Sequence, residues 1–129
     1  MPYPAEVEVQ GLTSWLDAYF GAWVSNHPDD VAVLFAEDAV YAVDPFADPW
    51  HGRDEIVRRW TSGVQTEVEY EFEPLAVVGN TGLAHWRLRA RNRGAAARKE
   101  WDGILLLRFD DDGRCVEHRE WYASRDLDE

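Results

Sequence analysis

Residues 67–93 read EVEYEFEPLAVVGNTGLAHWRLRARNR. Glu67, Glu69, Glu71 and Glu73 alternate with Val68, Tyr70 and Phe72. Beyond Gly79-Asn80-Thr81-Gly82, Arg87, Arg89, Arg91 and Arg93 alternate with Ala84, Trp86, Leu88 and Ala90. A period of two puts successive side chains on opposite faces of a β-strand, so the stretch predicts an antiparallel hairpin. One face carries acids against arginines, and the other is apolar and aromatic. A short loop over the Gly-Asn-Thr-Gly turn sets Glu69, Glu71 and Glu73 opposite Arg93, Arg91 and Arg89.

Downstream, two more strands are expected over about Arg98–Phe109 and Arg114–Ala123, joined by Asp110-Asp111-Asp112-Gly113. That acidic turn lacks the alternating oxygen ligands and distant Glu of a calcium loop, and reads as a plain hairpin turn. Alternation along the last strand places Val116, His118, Glu120 and Tyr122 on one face. Cys115 falls on the other by parity, which argues against a Cys–His nucleophile. Upstream, Thr13 or Ser14 can cap a helix whose apolar stripe is Trp15, Leu16, Tyr19, Phe20 and Trp23. Pro28, Asp29 and Asp30 start a second helix with Val31, Leu34 and Phe35 buried. Asp38–Asp44 reads as a strand, and Asp54 opens a third helix carrying Ile56, Val57 and Trp60. Three N-terminal helices followed by mostly strands is an α+β layout. Helices covering the apolar face of a strongly curved mixed or antiparallel sheet would make a cone enclosing a cavity.

The chain has 129 residues, of which 46% are hydrophobic and 29% charged, which suits one globular domain over 1–129. Its formal net charge of −12 repels phosphate backbones and anionic lipid, so neither nucleic acid nor membrane is an expected partner. The single cysteine excludes an internal disulfide. The N-terminus shows no signal-peptide pattern, and the longest wholly apolar run is Val31–Ala36, so a cytoplasmic location is expected. Phosphate-loop, dinucleotide and nucleophile-elbow motifs are missing from the sequence. His27, His51, His85 and His118 fit no metal-ligand spacing. Neither cofactor nor metal is expected. Seven Trp residues, in contrast, are enough to line an aromatic pocket as well as build a core.

The segment Asp44-Pro-Phe-Ala-Asp-Pro-Trp-His-Gly-Arg-Asp-Glu-Ile56, with Phe-Ala-Glu-Asp-Ala at 35–39 and Arg-Phe-Asp-Asp-Asp-Gly-Arg at 108–114, resembles the nuclear-transport-factor-2-like superfamily. The likeness is to its SnoaL-like and steroid delta-isomerase branches, and it covers almost the whole chain. It implies the cone-shaped, cystatin-like fold and, with the charged sheet face, a homodimer. It also implies an acid–base enzyme with Asp44 as general base and Tyr19 as hydrogen-bond donor to the developing oxyanion. The family's second donor, a protonated carboxyl, falls at Leu105, so that donor is missing; His118 is the candidate to replace it or to act as the acid–base group. Trp23, Trp60, Trp86, Leu88, Trp101, Leu105 and Tyr122 are expected to line the cavity and take a small hydrophobic molecule.

Each residue also has a plainer role. Asp44 precedes Pro45 and can cap a turn; Tyr19 lies on an apolar helix stripe; His118 can pair within the sheet. His51 reads as a rim residue and His85 as part of the charged face. The expected function is a cofactor-independent isomerase or cyclase type of enzyme for a small hydrophobic carbonyl compound. The alternative is a non-catalytic binding protein of the same fold. A protein-interaction module is a third possibility, which no apolar patch in the sequence favours.

Overall fold

The computed structural model describes residues 5–127. The chain begins with α1 (Ala5–Ser25) and α2 (Pro28–Ala32), followed by β1 (Phe35–Ala42), β2 (Trp50–His51) and α3 (Arg53–Ser62). The rest is strand: β3 (Gln65–Val78), β4 (Thr81–Asn92), β5 (Lys99–Phe109) and β6 (Cys115–Asp126). α1 starts earlier than the Thr13 or Ser14 cap expected from sequence. Thr13 sits inside the helix, its hydroxyl donating back to the Val9 carbonyl at 2.9 Å. α2 matches its expected start: Pro28 occupies the first turn, and the His27 side chain accepts from the Asp29 N–H. It ends at Ala32, and Phe35 belongs to β1.

The six strands form one curved, open sheet in the order β2-β1-β6-β5-β4-β3. Only β1 and β6 run parallel; the other neighbours are antiparallel. Local irregularities supply the bend, since a bulge kinks its strand and increases its twist. In β3 the register shifts between Thr66 and Glu69, where Glu67 has φ 54°, and again between Pro74 and Ala76. The Glu–Arg ladder is present on the outer face, but its register differs from expectation. Glu69 faces Arg89, Glu71 faces Arg87, and Glu73 faces His85. The hairpin closes tightly, pairing Val78 with Thr81, and the bulge at Leu75 takes up one further residue.

That outer face is laced with ion pairs. Arg87 bridges Glu71 and Asp102, His85 joins Asp102 at 2.7 Å, and the side chain of Glu100 is held by both Arg89 and Arg125. The inner face carries the core. Leu16 and Phe20 of α1, Val31 of α2, and Ile56 and Trp60 of α3 pack on Ala84, Trp86, Leu88, Leu105 and Leu107. Apolar burial of this kind is the main term holding helices to sheet.

A third irregularity, between Arg108 and Phe109, overturns the parity argument for Cys115. Cys115 pairs with Phe109 while Glu117 pairs with Arg108, so Val116 is the extra residue. Cys115 and His118 therefore both point inward, and both are fully buried. They do not form a nucleophilic pair. The thiol lies against the Glu117 carbonyl, and burial pushes its pKa up to about 12.

Candidate active site

The inward positions of β4, β5 and β6 and the stripe of α1 meet at a cavity of about 140 Å³. Tyr19, Phe20 and Trp23 form its helical wall. Trp86, Leu88 and Trp101 form its floor, and Glu120 and Tyr122 of β6 close one side, with Val43 and Gln65 completing it. The helical wall is backed by further rings. Trp23 stacks on Trp60 with centroids 4.1 Å apart, Phe20 on Tyr70 at 5.2 Å and on Phe72 at 5.6 Å, and Tyr19 on Trp15 at 5.1 Å. Beneath Trp86, Gly103 leaves the space that a Cβ would fill. A side chain there would meet the Trp121 carbonyl, the Tyr122 Cβ and the Trp86 ring.

Of the aromatic and apolar residues expected at the cavity, Trp23, Trp86, Leu88, Trp101 and Tyr122 line it. Trp60 and Leu105 do not. Both are essentially fully buried one layer behind, Trp60 under Trp23 and Leu105 beside Glu120 in the sheet.

Behind Tyr19 lies a polar cluster. Its hydroxyl is 2.9 Å from His118 Nε2 and 3.1 Å from the Tyr41 hydroxyl. The parallel pairing of β1 with β6 sets Tyr41 directly beside His118, and their rings stack at 3.7 Å, 6° from coplanar. His118 is fully buried, and its Nδ1 has no hydrogen-bond partner among the described residues. Burial lowers its pKa from 6.5 to about 3, which nearby backbone groups of His118 and Ala42 only partly offset, so the ring is neutral. Burial, and then the charge of Glu120, raises the Tyr19 phenol well above its ordinary value. Tyr19 thus keeps its proton. In the tautomer with its proton on Nε2, His118 donates to the Tyr19 oxygen and the tyrosine's own proton is left for another acceptor; in the other tautomer Tyr19 donates to Nε2. His118, expected at the cavity, reaches it only through Tyr19.

The residue the sequence argument passed over is Glu120. Its side chain lines the cavity, the residue is 9% exposed, and it makes no hydrogen bond among the described residues. Burial, with a smaller contribution from the charge of Asp44, lifts its pKa from 4.5 to about 8. Glu120 sits directly across from Leu105 in the β5–β6 ladder. A buried carboxyl therefore stands next to the position where the resemblance implied one and the sequence offered leucine.

Asp44 is placed differently from expectation. It does not line the cavity. Its Oδ1 accepts from the N–H groups of Phe46 at 2.7 Å and Ala47 at 2.9 Å, closing a turn around Pro45. It remains near enough for its charge to be felt by Glu120 and Tyr122. His51 is exposed, and His85 lies on the charged outer face as the alternation required. Among the described residues there is no cluster of three or more His, Cys, Asp or Glu side chains able to hold a metal ion, and no helix is long and apolar enough to cross a membrane.

A family model for the SnoaL-like domain matches residues 16–118. The chain belongs to the SnoaL-like domain family. Solved structures agree with the fold. The epoxide hydrolase/cyclase-like enzyme SalBIII, which has a role in pyran ring formation in the polyether salinomycin, superposes with a TM-score of 0.77 at 15% identity, covering 92% of this chain and 97% of that one. A protein from Novosphingobium aromaticivorans assigned as a scytalone dehydratase gives 0.77 at 16% identity over 95% and 89% of the two chains. An LEH-like epoxide hydrolase of M. tuberculosis gives 0.71 at 17%, over 90% and 85%. No curated protein matches the sequence significantly. At these identities the likeness is one of fold, and a SnoaL-like domain of this shape hosts more than one chemistry.

Proposed function

We propose that this SnoaL-like domain is a cofactor-independent acid–base enzyme that moves a proton on a small hydrophobic carbonyl compound, with Glu120 as the proton-transferring group. One observation carries the assignment: a carboxyl without a hydrogen bond, buried in an aromatic cavity beside a protonated tyrosine. Ionising a carboxyl in so apolar a place costs stability, which a structural role does not call for. A base does. With its pKa near 8, about a tenth of Glu120 is ionised at pH 7, and that fraction is a far stronger base than an ordinary carboxylate.

In this mechanism the substrate oxygen accepts a hydrogen bond from the Tyr19 hydroxyl, which His118 and Tyr41 hold in place from behind. Glu120 takes a proton from the carbon next to the carbonyl. Negative charge develops on the oxygen, where the Tyr19 donor stabilises it. Returning the proton from Glu120 to another carbon of the same ligand completes an isomerisation. Asp44 acts from outside the cavity, where its charge helps keep Glu120 basic.

The same folds at low identity include enzymes named for epoxide hydrolysis, cyclisation and dehydration, which supports acid–base chemistry as a class. The expected result for Tyr19→Phe is a fall in kcat of about a hundredfold with little change in KM, since the lost donor acts mainly on the transition state. A kcat within a factor of about two of the unsubstituted protein would remove Tyr19 from the mechanism.

A further inference from the structure

We infer that the substrate's reacting portion is a single uncharged ring bearing a carbonyl or hydroxyl oxygen, and that fused polycyclic and anionic molecules are disfavoured. This rests on the assignment of the cavity as the active site and adds the class of molecule it takes.

Size comes first. A cavity of about 140 Å³ is close to the roughly 150 Å³ apolar cavity that accommodates benzene, which sets the buried part of a ligand at about six to ten non-hydrogen atoms. A cavity lined by loose side chains could widen. This one is held from behind: Trp23 rests on Trp60, Phe20 on Tyr70 and Phe72, and the Trp86 floor fills the space left by Gly103. Enlarging it means breaking ring stacks in a close-packed core.

Charge comes second. Among the described residues, Glu120 is the one carboxyl on the wall, and no Lys or Arg lines the cavity. An anionic ligand would meet Glu120 without a compensating cation, inside a chain of net charge −12. Polarity comes third. Trp86 Nε1, a donor, and Gln65 Oε1, an acceptor, are buried without partners on two residues of the cavity wall. A ligand carbonyl or hydroxyl oxygen can accept from Trp86 Nε1, and a hydroxyl can also donate to Gln65 Oε1, while a pure hydrocarbon leaves both unpaired.

The test is direct binding, by calorimetry, of cyclohexenone, of the fused bicyclic octalone with the same enone, and of cyclohexenecarboxylate. The expected order is cyclohexenone at least about tenfold tighter than octalone, with no measurable binding of the carboxylate. In Leu88→Ala or Trp101→Ala, which widen the floor from neighbouring strands, octalone affinity should rise about tenfold while that of cyclohexenone falls. Octalone binding as tightly as cyclohexenone to the unsubstituted protein, or carboxylate binding comparable to ketone, overturns the inference. Binding and turnover separate the two claims. Single-ring ketones that bind in the expected order without reacting sink the catalytic assignment of Glu120 and leave the ligand class standing.

Discussion

Replacing Glu120 with Gln is expected to lower kcat on a single-ring ketone by about a thousandfold, within the range for loss of a positioned general base. Binding of the same ketone changes by no more than about threefold, because the amide keeps the shape and polarity of the carboxyl. The pH profile carries further information. While Glu120 is the base, kcat/KM rises about tenfold per pH unit below its pKa and levels off near 8. In Glu120→Gln that ascending limb disappears. Asp44→Asn distinguishes this account from one in which Asp44 is the base. Removing its charge lets the limb level off at lower pH and reduces kcat only modestly, since its Oδ1 is already occupied by the Pro45 turn. An Asp44→Asn variant as inactive as Glu120→Gln would return the role of base to Asp44.

The second large effect is on stability, and it follows from two buried groups shifted in opposite directions. His118 titrates near 3 in the folded chain against 6.5 when exposed. Its folded form refuses a proton that the unfolded chain accepts, so stability falls as pH drops from 6.5 towards 3. Glu120 titrates near 8 against 4.5. Its folded form holds a proton that the unfolded chain releases, so stability falls as pH rises from 4.5 towards 8. Between 4.5 and 6.5 the two slopes cancel. Urea denaturation across pH should therefore show a plateau in that window, with about 2 kcal/mol lost on each side by pH 3 and pH 8 from these two groups. The ion-paired carboxylates Glu100 and Asp102, whose pKa values their partners lower, steepen the acid limb further. Glu120→Gln removes the alkaline limb. The variant should match the unsubstituted protein near pH 4 and exceed it at pH 8 by up to roughly 5 kcal/mol. Equal stability of the two proteins at pH 8 would mean that Glu120 ionises as it does in water.

The contrast between what sequence and structure reveal follows from the range of the interactions. Alternation of Glu with Val, Tyr and Phe in β3, and of Arg with Trp, Leu and Ala in β4, is a local signal, and it located the sheet, its inner face and the Trp86 and Leu88 part of the cavity floor. The Asp44–Ile56 and Arg108–Arg114 segments pointed to the SnoaL-like fold for the same reason: they are contiguous in the chain. Single-residue irregularities broke the extrapolation. The bulge at Leu75 and the tight turn changed the ladder register, and the extra residue at Val116 turned Cys115 inward. Neither leaves a mark on a period-two pattern.

The polar cluster was less legible still. Tyr41 and His118 meet because β1 and β6 pair in parallel across most of the chain length, and nothing near either residue announces the other. Glu120 did leave a signal. It shares the inward face with His118 on an otherwise apolar layer, and a carboxylate at such a position is either paired, misplaced or functional. Its perturbed pKa depends on the aromatic surroundings that only the folded arrangement assembles. Asp44 illustrates the converse: the motif around it reports the fold faithfully, while its own carboxylate is spent on the turn.

The most direct test of this account is the titration of the Glu120 carboxyl carbon by NMR, assigned by its disappearance in Glu120→Gln. No substrate is needed. A midpoint near 8 is the predicted result, falling measurably in Asp44→Asn as a neighbouring negative charge is removed. A midpoint near 4.5 would mean a solvated, ordinary carboxylate, and the assignment of Glu120 as the proton-transferring group would be contradicted.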